Sequence, residues 1–350
     1  MLAITALIAA ISLEVVAYRG GAGSAEPTNV IVTTVSPDLG GVRLRLATRF
    51  GLVDRAVHVV AFPIGEVISR TSILVFNDPA LPYAGGSFAL MDAVKSDVAA
   101  LASVDAPDIS IGRVDSAGLV STLRDTGTAS STAILILGGT VPMQTFSKKV
   151  NLITPWVDSG GLLVWAGDAI GYYSVSPGDH LDPTSSKNLQ AAGSKILLGA
   201  PLVSFPTAFG RMGAAPSPIA AALQLRYSQT SSGLVTSMID GDGGLDLGFR
   251  GDAVTSIAFR PHGRGGYLLF GGRVGDPVVV ADDIIRILSS NILVSKGGLA
   301  TLEINPTGTA VVTSTLHVDL PLSVHRVMLV ATGSDTYPFF INAVDVVAST

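Results

Sequence analysis

Ala133-Ile134-Leu135-Ile136-Leu137-Gly138-Gly139, and then Asp158-Ser159-Gly160-Gly161-Leu162-Leu163-Val164-Trp165-Ala166-Gly167-Asp168-Ala169-Ile170-Gly171-Tyr172-Tyr173, decide the fold. Each contains a short apolar run closed by glycines, the signature of a buried strand ending in a tight turn. Between them, Met143 to Val157 reads as a helix. The result is a strand–helix–strand unit whose second strand ends in a glycine-flanked bend. In an open parallel sheet, ligands and catalytic groups gather at such strand ends.

Working outward, further units of the same kind flank this one. Ile73-Leu74-Val75-Phe76 is a buried strand ending in Asn77-Asp78-Pro79, and Gly85-Gly86-Ser87 opens a helix running to Leu101. Ile109 to Val114 is the next strand, with Asp115-Ser116 as N-cap of a helix through Leu119, Val120 and Leu123. Ile257-Ala258-Phe259 and Tyr267-Leu268-Leu269-Phe270 form a hairpin around Pro261 to Gly266, and Val278 to Leu293 is a closing amphipathic helix. Ser174 to Pro218 reads as irregular, with one helix near Ser186 to Leu198, and Ala220 to Tyr227 as a strand or short helix. Alternating strands and helices predict an α/β fold: a flavodoxin-like, mostly parallel sheet with helices on both faces.

The remaining segments divide the chain into five parts. Residues 1–19 are expected to be a hydrophobic helix, 20–28 a linker, 29–70 a β-rich segment, 71–296 the α/β domain and 297–350 a second β-rich segment. The two β-rich segments are expected to form one sandwich, with two separate β modules as the alternative. Met1 to Tyr18 would cover roughly 27 Å as a helix, close to a bilayer core of about 30 Å. It is read as a membrane anchor or signal; its rivals are a pilin-like assembly helix with Glu14 as pairing charge and an ordinary buried helix. No basic n-region precedes it, Gly23-Ser24-Ala25 offers small residues for cleavage, and Arg19 leaves the orientation open.

Composition excludes several chemistries. Charged residues are only 14% of the 350, hydrophobic residues 48%, and the net charge is −5, so no basic footprint for nucleic acid exists. Mean hydropathy is +0.52 and the pI is near 5.5. The absence of cysteine removes disulfides, thiolate metal sites and cysteine nucleophiles together; it fits an extracytoplasmic protein stable without bridges and equally the many cytoplasmic proteins that lack cysteine.

Gly167-Asp168-Ala169-Ile170-Gly171 has the spacing of a nucleophile elbow, in which glycines let the backbone expose the central side chain. That side chain is Ala169. With the Trp156 to Val164 stretch before it and Gly263 to Gly272 after it, the chain from about Thr71 to Ser295 resembles class I glutamine amidotransferase-like domains. Active members of that superfamily carry cysteine at the elbow and a His-x-Glu pair after the final strands. Here those places hold Ala169 and Gly271-Gly272-Arg273-Val274-Gly275. The resemblance therefore implies a degenerate, non-catalytic member.

Within the superfamily, Phe76-Asn77-Asp78, Trp156 to Gly161 and Asp168-Ala169-Ile170-Gly171 are similar to the membrane-attached, amidotransferase-like luminal subunit of oligosaccharyltransferase. That similarity implies a structural role beside a membrane enzyme, with protein partners and glycan as a candidate ligand. The C-terminal membrane span of that family has no counterpart in this sequence. Three functional readings follow: a membrane-anchored extracytoplasmic binding or assembly protein; a surface or filament subunit assembling through its N-terminal helix; and a hydrolase with a relocated site, for which Ser174 and His262 are the pair to consider.

Two carboxylate groupings remain. Asp78, Asp115 and Asp168 each follow a strand and could line one crevice at the carboxyl edge, although Asp115 is more simply a helix cap. Asp240, Asp242 and Asp246 alternate with glycines, as ligands of a hard cation such as Ca²⁺ do, and as a solvated turn also does. The turn is the preferred reading, and no cofactor is expected.

Overall fold

A computed structural model describes residues 13–16, 28–34, 42–50, 57–63, 70–82, 96, 110–166, 170–179, 189, 191–199, 215–217, 219–220, 223–228, 234–235, 244–250, 254–271, 277–289, 293, 300–304, 311–318, 326–333 and 339–348. The chain divides into two units, one formed by Met1–Val67 with Gly297–Thr350, the other by Ile68–Lys296.

The first unit is antiparallel throughout, and both ends of the chain contribute to each of its sheets. In one sheet, Arg326–Gly333 lies between Thr28–Thr34 and Val57–Pro63, and Ala300–Ile304 borders Val57–Pro63 on its other side. In the other, Val42–Phe50 lies between Val311–Val318 and Phe339–Ala348. Leu13–Val16, inside the expected N-terminal helix, is instead a strand paired antiparallel with Val30–Thr33. Val15 and Val16 are β-branched, and such residues favour a pleated partner over a helix when an edge is offered. The rest of residues 1–19, and the linker up to 27, lie outside the described residues.

The second unit is built on a seven-stranded sheet. Its strands are β1 (Ser72–Phe76), β2 (Ser110–Val114), β3 (Thr132–Ile136), β5 (Leu162–Trp165), β7 (Leu245–Asp246), β8 (Ile257–His262) and β9 (Gly265–Phe270). A separate two-stranded parallel ribbon joins β4 (Thr140–Pro142) to β6 (Tyr173–Val175). The order across the large sheet is β7-β8-β9-β5-β3-β1-β2, with β2, β1, β3, β5 and β9 parallel and β8 antiparallel to both of its neighbours, β9 and β7. Every residue of β3, β5 and β9 is buried, which explains why these strands read as unbroken apolar runs rather than alternating ones.

Among the described residues, the unit has the helices α1 (Ser116–Arg124), α2 (Ile153–Asp158), α3 (Ala191–Leu198) and α4 (Pro277–Ser289). Asp115 caps α1, its side chain accepting from the Gly118 amide at 2.8 Å, and Leu119 and Leu123 bury the face one turn apart. The expected helix Met143–Val157 is confined to the six residues of α2. Upstream, Thr145 Oγ1 donates to the Pro142 carbonyl at 2.7 Å, and Ser147 Oγ accepts from the Val150 amide at 3.2 Å. Such side-chain bonds give the backbone turns instead of a helical ladder. The helix expected after Gly85 lies outside the described residues except for Ser96.

Helix α2 ends in a Schellman motif. Gly161 N–H donates to the Trp156 carbonyl at 3.2 Å and Gly160 N–H to Val157 at 2.9 Å, with Gly160 at φ +113°. Only glycine fits Gly161, because a Cβ there would lie 2.3 Å from the Trp156 ring. At the same amino edge of the sheet, the guanidinium of Arg70 donates to the carbonyls of Gly160 at 2.7 Å, Ala129 at 3.3 Å and Ser130. Burial pushes its pKa down to about 10. Three carbonyl acceptors replace the water it has lost.

Candidate functional site

The chain leaves β1 for β2 on one side and later returns to place β3 on the other. Neighbouring strands β1 and β3 thus lead away in opposite directions, and the crevice of such a sheet opens at their carboxyl ends. The residues brought there are Asn77-Asp78 after β1, Asp115-Ser116 after β2, Leu137-Gly138-Gly139 after β3 and Ala166 after β5. Gly139, at φ +70°, turns the chain into β4.

Asp78 and Asp115 do meet at this edge, since Phe76 and Val114 are paired in register. Both carboxylates are engaged within the chain. Asp78 accepts from the Ala80 amide at 2.9 Å, the Ser116 amide at 3.2 Å and the Ser116 hydroxyl, while Asp115 caps α1. Partial burial pushes the Asp78 pKa upward. The Ser116 hydroxyl, the two amides and the nearby Arg113 charge outweigh it, so the carboxyl titrates below its ordinary value of 3.8. Asp168, the third member of the expected crevice, lies outside the described residues, as do Gly167 and Ala169 of the bend.

The pKa of Asp78 makes a testable statement. A carboxylate whose folded pKa is depressed contributes stability that is complete above its unfolded pKa and is lost as pH falls through the folded one. Asp78→Asn, which turns an amide NH₂ toward the Ser116 donors, should cost roughly 1–2 kcal/mol at neutral pH. In urea titrations the gap between wild type and variant should close as the pH drops through the low-pH range in which Asp78 becomes protonated. A gap that stays constant with pH would show that the charge contributes nothing.

The bend after β5 is described from Ile170 onward. Ile170 is buried, and Gly171 (φ +71°) packs backbone to backbone against α3. A Cβ on Gly193 would lie 1.9 Å from the Gly171 carbonyl oxygen. Neither the contact nor the importance of Gly193 is visible in a linear reading, because the two glycines are far apart in sequence.

The proposed Ser174 and His262 pair is not assembled. Ser174 follows the carboxyl edge in β6, is buried, and donates its hydroxyl to the Phe146 carbonyl. His262 ends β8, opposite Gly265, at the amino edge where β9 begins beside Leu162. There its Nε2 lies 3.2 Å from Asp158 Oδ1. An antiparallel β8 carries its last residue to the end of the sheet opposite Ser174.

Of the Ca²⁺ candidates, Asp240 and Asp242 lie outside the described residues. Asp246 is a strand residue rather than part of a turn: β7 pairs with Ala258–Phe259 of β8. Its buried carboxylate accepts from the Gly248 amide at 3.1 Å and from the Thr255 hydroxyl. Among the described residues, no group of three or more His, Cys, Asp or Glu side chains could hold a metal ion.

No family model, curated protein or solved structure matches this chain.

Proposed function

We propose that this chain is a non-catalytic, amidotransferase-like protein held at the extracytoplasmic face of a membrane by its apolar N-terminus, where it serves in binding or complex assembly. The strand order β2-β1-β3-β5-β9 accords with flavodoxin-like winding, and β5 occupies the position from which an elbow would project. One observation carries the reading. Asp78, Asp115 and Ser116 at that edge, and Ser174 in β6, are all engaged in hydrogen bonds within the chain. Acyl transfer needs a nucleophile and a base within hydrogen-bond reach, and the residue at the centre of the bend is Ala169.

Attachment to the membrane rests on the apolar composition of residues 1–18. Among the described residues, no helix is long and apolar enough to cross a membrane.

The test uses the full chain and a version lacking residues 1–12. The full chain should pellet with membranes and the shortened chain should not, while a fluorophosphonate probe labels neither and glutamine is not hydrolysed. Stoichiometric labelling of one serine would overturn the reading in favour of a hydrolase. Filaments formed by the full chain and lost on deletion would overturn it in favour of a structural subunit.

A further inference from the structure

We propose that the strand Val311–Val318 is a dimerisation edge, at which two copies of this chain pair antiparallel about a two-fold axis to make one continuous sheet. Such a dimer does not depend on membrane attachment. In the three-stranded sheet of the first unit, Val42–Phe50 is the middle strand, so Val311–Val318 and Phe339–Ala348 are its two borders. Val311–Val318 is paired with Val42–Phe50 along all 8 of its residues. Among the described residues, no strand lies on its other side. In an antiparallel ladder every second residue turns its N–H and C=O away from the partner. Along this strand that leaves a row of main-chain donors and acceptors over roughly 25 Å, and such a row is a template for another strand.

Natural sheets blunt their borders with charged residues, bulges or very short strands. The other borders of these sheets do so. In the five-stranded sheet of this unit, Leu13–Val16 carries Glu14 and Ala300–Ile304 carries Glu303. In the large sheet of the second unit, β2 carries Arg113 and β7 has only 2 residues. Phe339–Ala348 has two such devices, Asp345 and a bulge where the register skips Asn342 between Ile341 and Ala343. Val311–Val318 has none of them. It is long, paired without a register shift, and contains no Asp, Glu, Lys, Arg, Pro or Gly.

That contrast and the strand's own sequence select a second copy as the occupant. A two-fold axis perpendicular to the sheet sets like faces side by side. With the axis at Ser314, Thr313 falls opposite Thr315, Val312 opposite Leu316 and Val311 opposite His317. With the axis one residue on, Thr315 falls opposite itself and Val312 opposite Val318. Both registers set β-branched and hydroxyl residues across from one another, as favourable strand pairs do, and neither opposes like charges. The pairing also closes. Two copies joined here leave Phe339–Ala348 at both outer borders, where the bulge and Asp345 discourage a further strand.

The chain has no cysteine, so a single introduced one reports the interface directly. In the full chain, mild oxidation should convert Ser314→Cys or Thr315→Cys, whichever lies on the axis, into a covalent dimer. Opposite residues of an antiparallel pair have Cα atoms about 4.5–5.5 Å apart, within disulfide reach. Thr48→Cys, on the middle strand, should stay uncrosslinked under the same conditions. Sedimentation equilibrium of the full chain in mild detergent should give a dimer. Ser314→Lys with Thr315→Lys, and separately Ser314→Glu with Thr315→Glu, oppose like charges across the axis and should each weaken it by ~100-fold or more. Mixing the two double variants should restore the dimer, which chains that had failed to fold could not do.

A wild-type chain that stays monomeric at micromolar concentration would overturn the proposal, and so would a dimer indifferent to both charged pairs. Failure of both cysteine variants to crosslink, or open-ended assembly in place of a dimer, would overturn it as well. Every variant retains residues 1–12, so pelleting with membranes tests the attachment separately and the two ideas fail independently.

Discussion

Gly265→Ala should abolish the native second unit or destabilise it by about 4 kcal/mol, the range of severe overpacking in a core. A Cβ at this position would lie 2.1 Å from the Gly161 carbonyl oxygen and 2.5 Å from that of Val157, both backbone atoms that cannot swing aside. Gly265 begins β9, where the His262–Gly265 turn meets the end of α2, and Gly266 N–H donates to the Gly161 carbonyl at 3.2 Å. Relief would require the hairpin to separate from β5, which breaks the sheet in its middle. The readout is tryptophan fluorescence in urea, since both tryptophans of the chain, Trp156 and Trp165, are buried in this unit. Gly178→Ala is the reference: its φ of +81° is strained for alanine but a Cβ there meets nothing within 4 Å, so the loss should be about 1 kcal/mol. Equal losses at the two positions would show that close backbone approach is not what makes Gly265 necessary.

Asp283→Ala should cost about 3 kcal/mol. Asp283 projects from α4, has no exposed surface, and accepts from the Arg226 amide at 3.0 Å and the Tyr227 amide at 2.7 Å. It ties the 223–228 segment to the helix, with Arg226 also paired to Asp282. Removing it strands two backbone donors. Burial raises its pKa more than the two amides and the charges of Arg226 and Arg286 lower it. The sign is thus opposite to that of Asp78. The folded state holds this proton more tightly than the unfolded one, so stability from this group falls as pH rises from the unfolded value through the raised one. In urea titrations, the advantage of wild type over Asp283→Ala should be widest near the unfolded pKa and narrow as pH rises. An advantage that widens with pH would mean that the amides dominate and the carboxylate is stabilised by its site.

The parts of the fold visible in the sequence are those specified locally. The runs Ile73–Phe76, Ala133–Leu137 and Leu162–Trp165 are apolar without alternation because their strands are covered on both faces, and glycine or Asn-Asp punctuation ends each of them. The cap at Asp115 and the hairpin around Gly263 were legible for the same reason. Gly263, at φ +56°, sits at the first central position of a two-residue turn, where hairpin geometry calls for glycine.

What was misread depends on contacts distant in sequence or on competition between neighbours. Met143, Phe146 and Val150 are spaced as in a helix, yet hydroxyls of Thr145 and Ser147 direct the backbone into turns. The β4–β6 ribbon, the Gly171–Gly193 contact and the Asp283 bonds to residues 226 and 227 join segments that no local pattern connects. Asp246 looked like a turn residue because glycines precede it, and pairing with Ala258 made it a strand residue. Of the candidate crevice, the positions of Asp78 and Asp115 were readable from strand ends. Their engagement by Ser116 and Gly118 required coordinates.

The interleaving of the first unit has a consequence for biosynthesis. Thr28–Thr34 and Val57–Pro63 leave the ribosome before the second unit, yet each takes as neighbour Arg326–Gly333, a segment translated only after that unit. Until then, two hydrophobic ribbons must persist without the strand that bridges them, while residues 68–296 can already condense around their own sheet. Such a chain should depend on holding factors during synthesis, and a premature stop anywhere before residue 326 should leave an aggregation-prone product rather than a shorter working one.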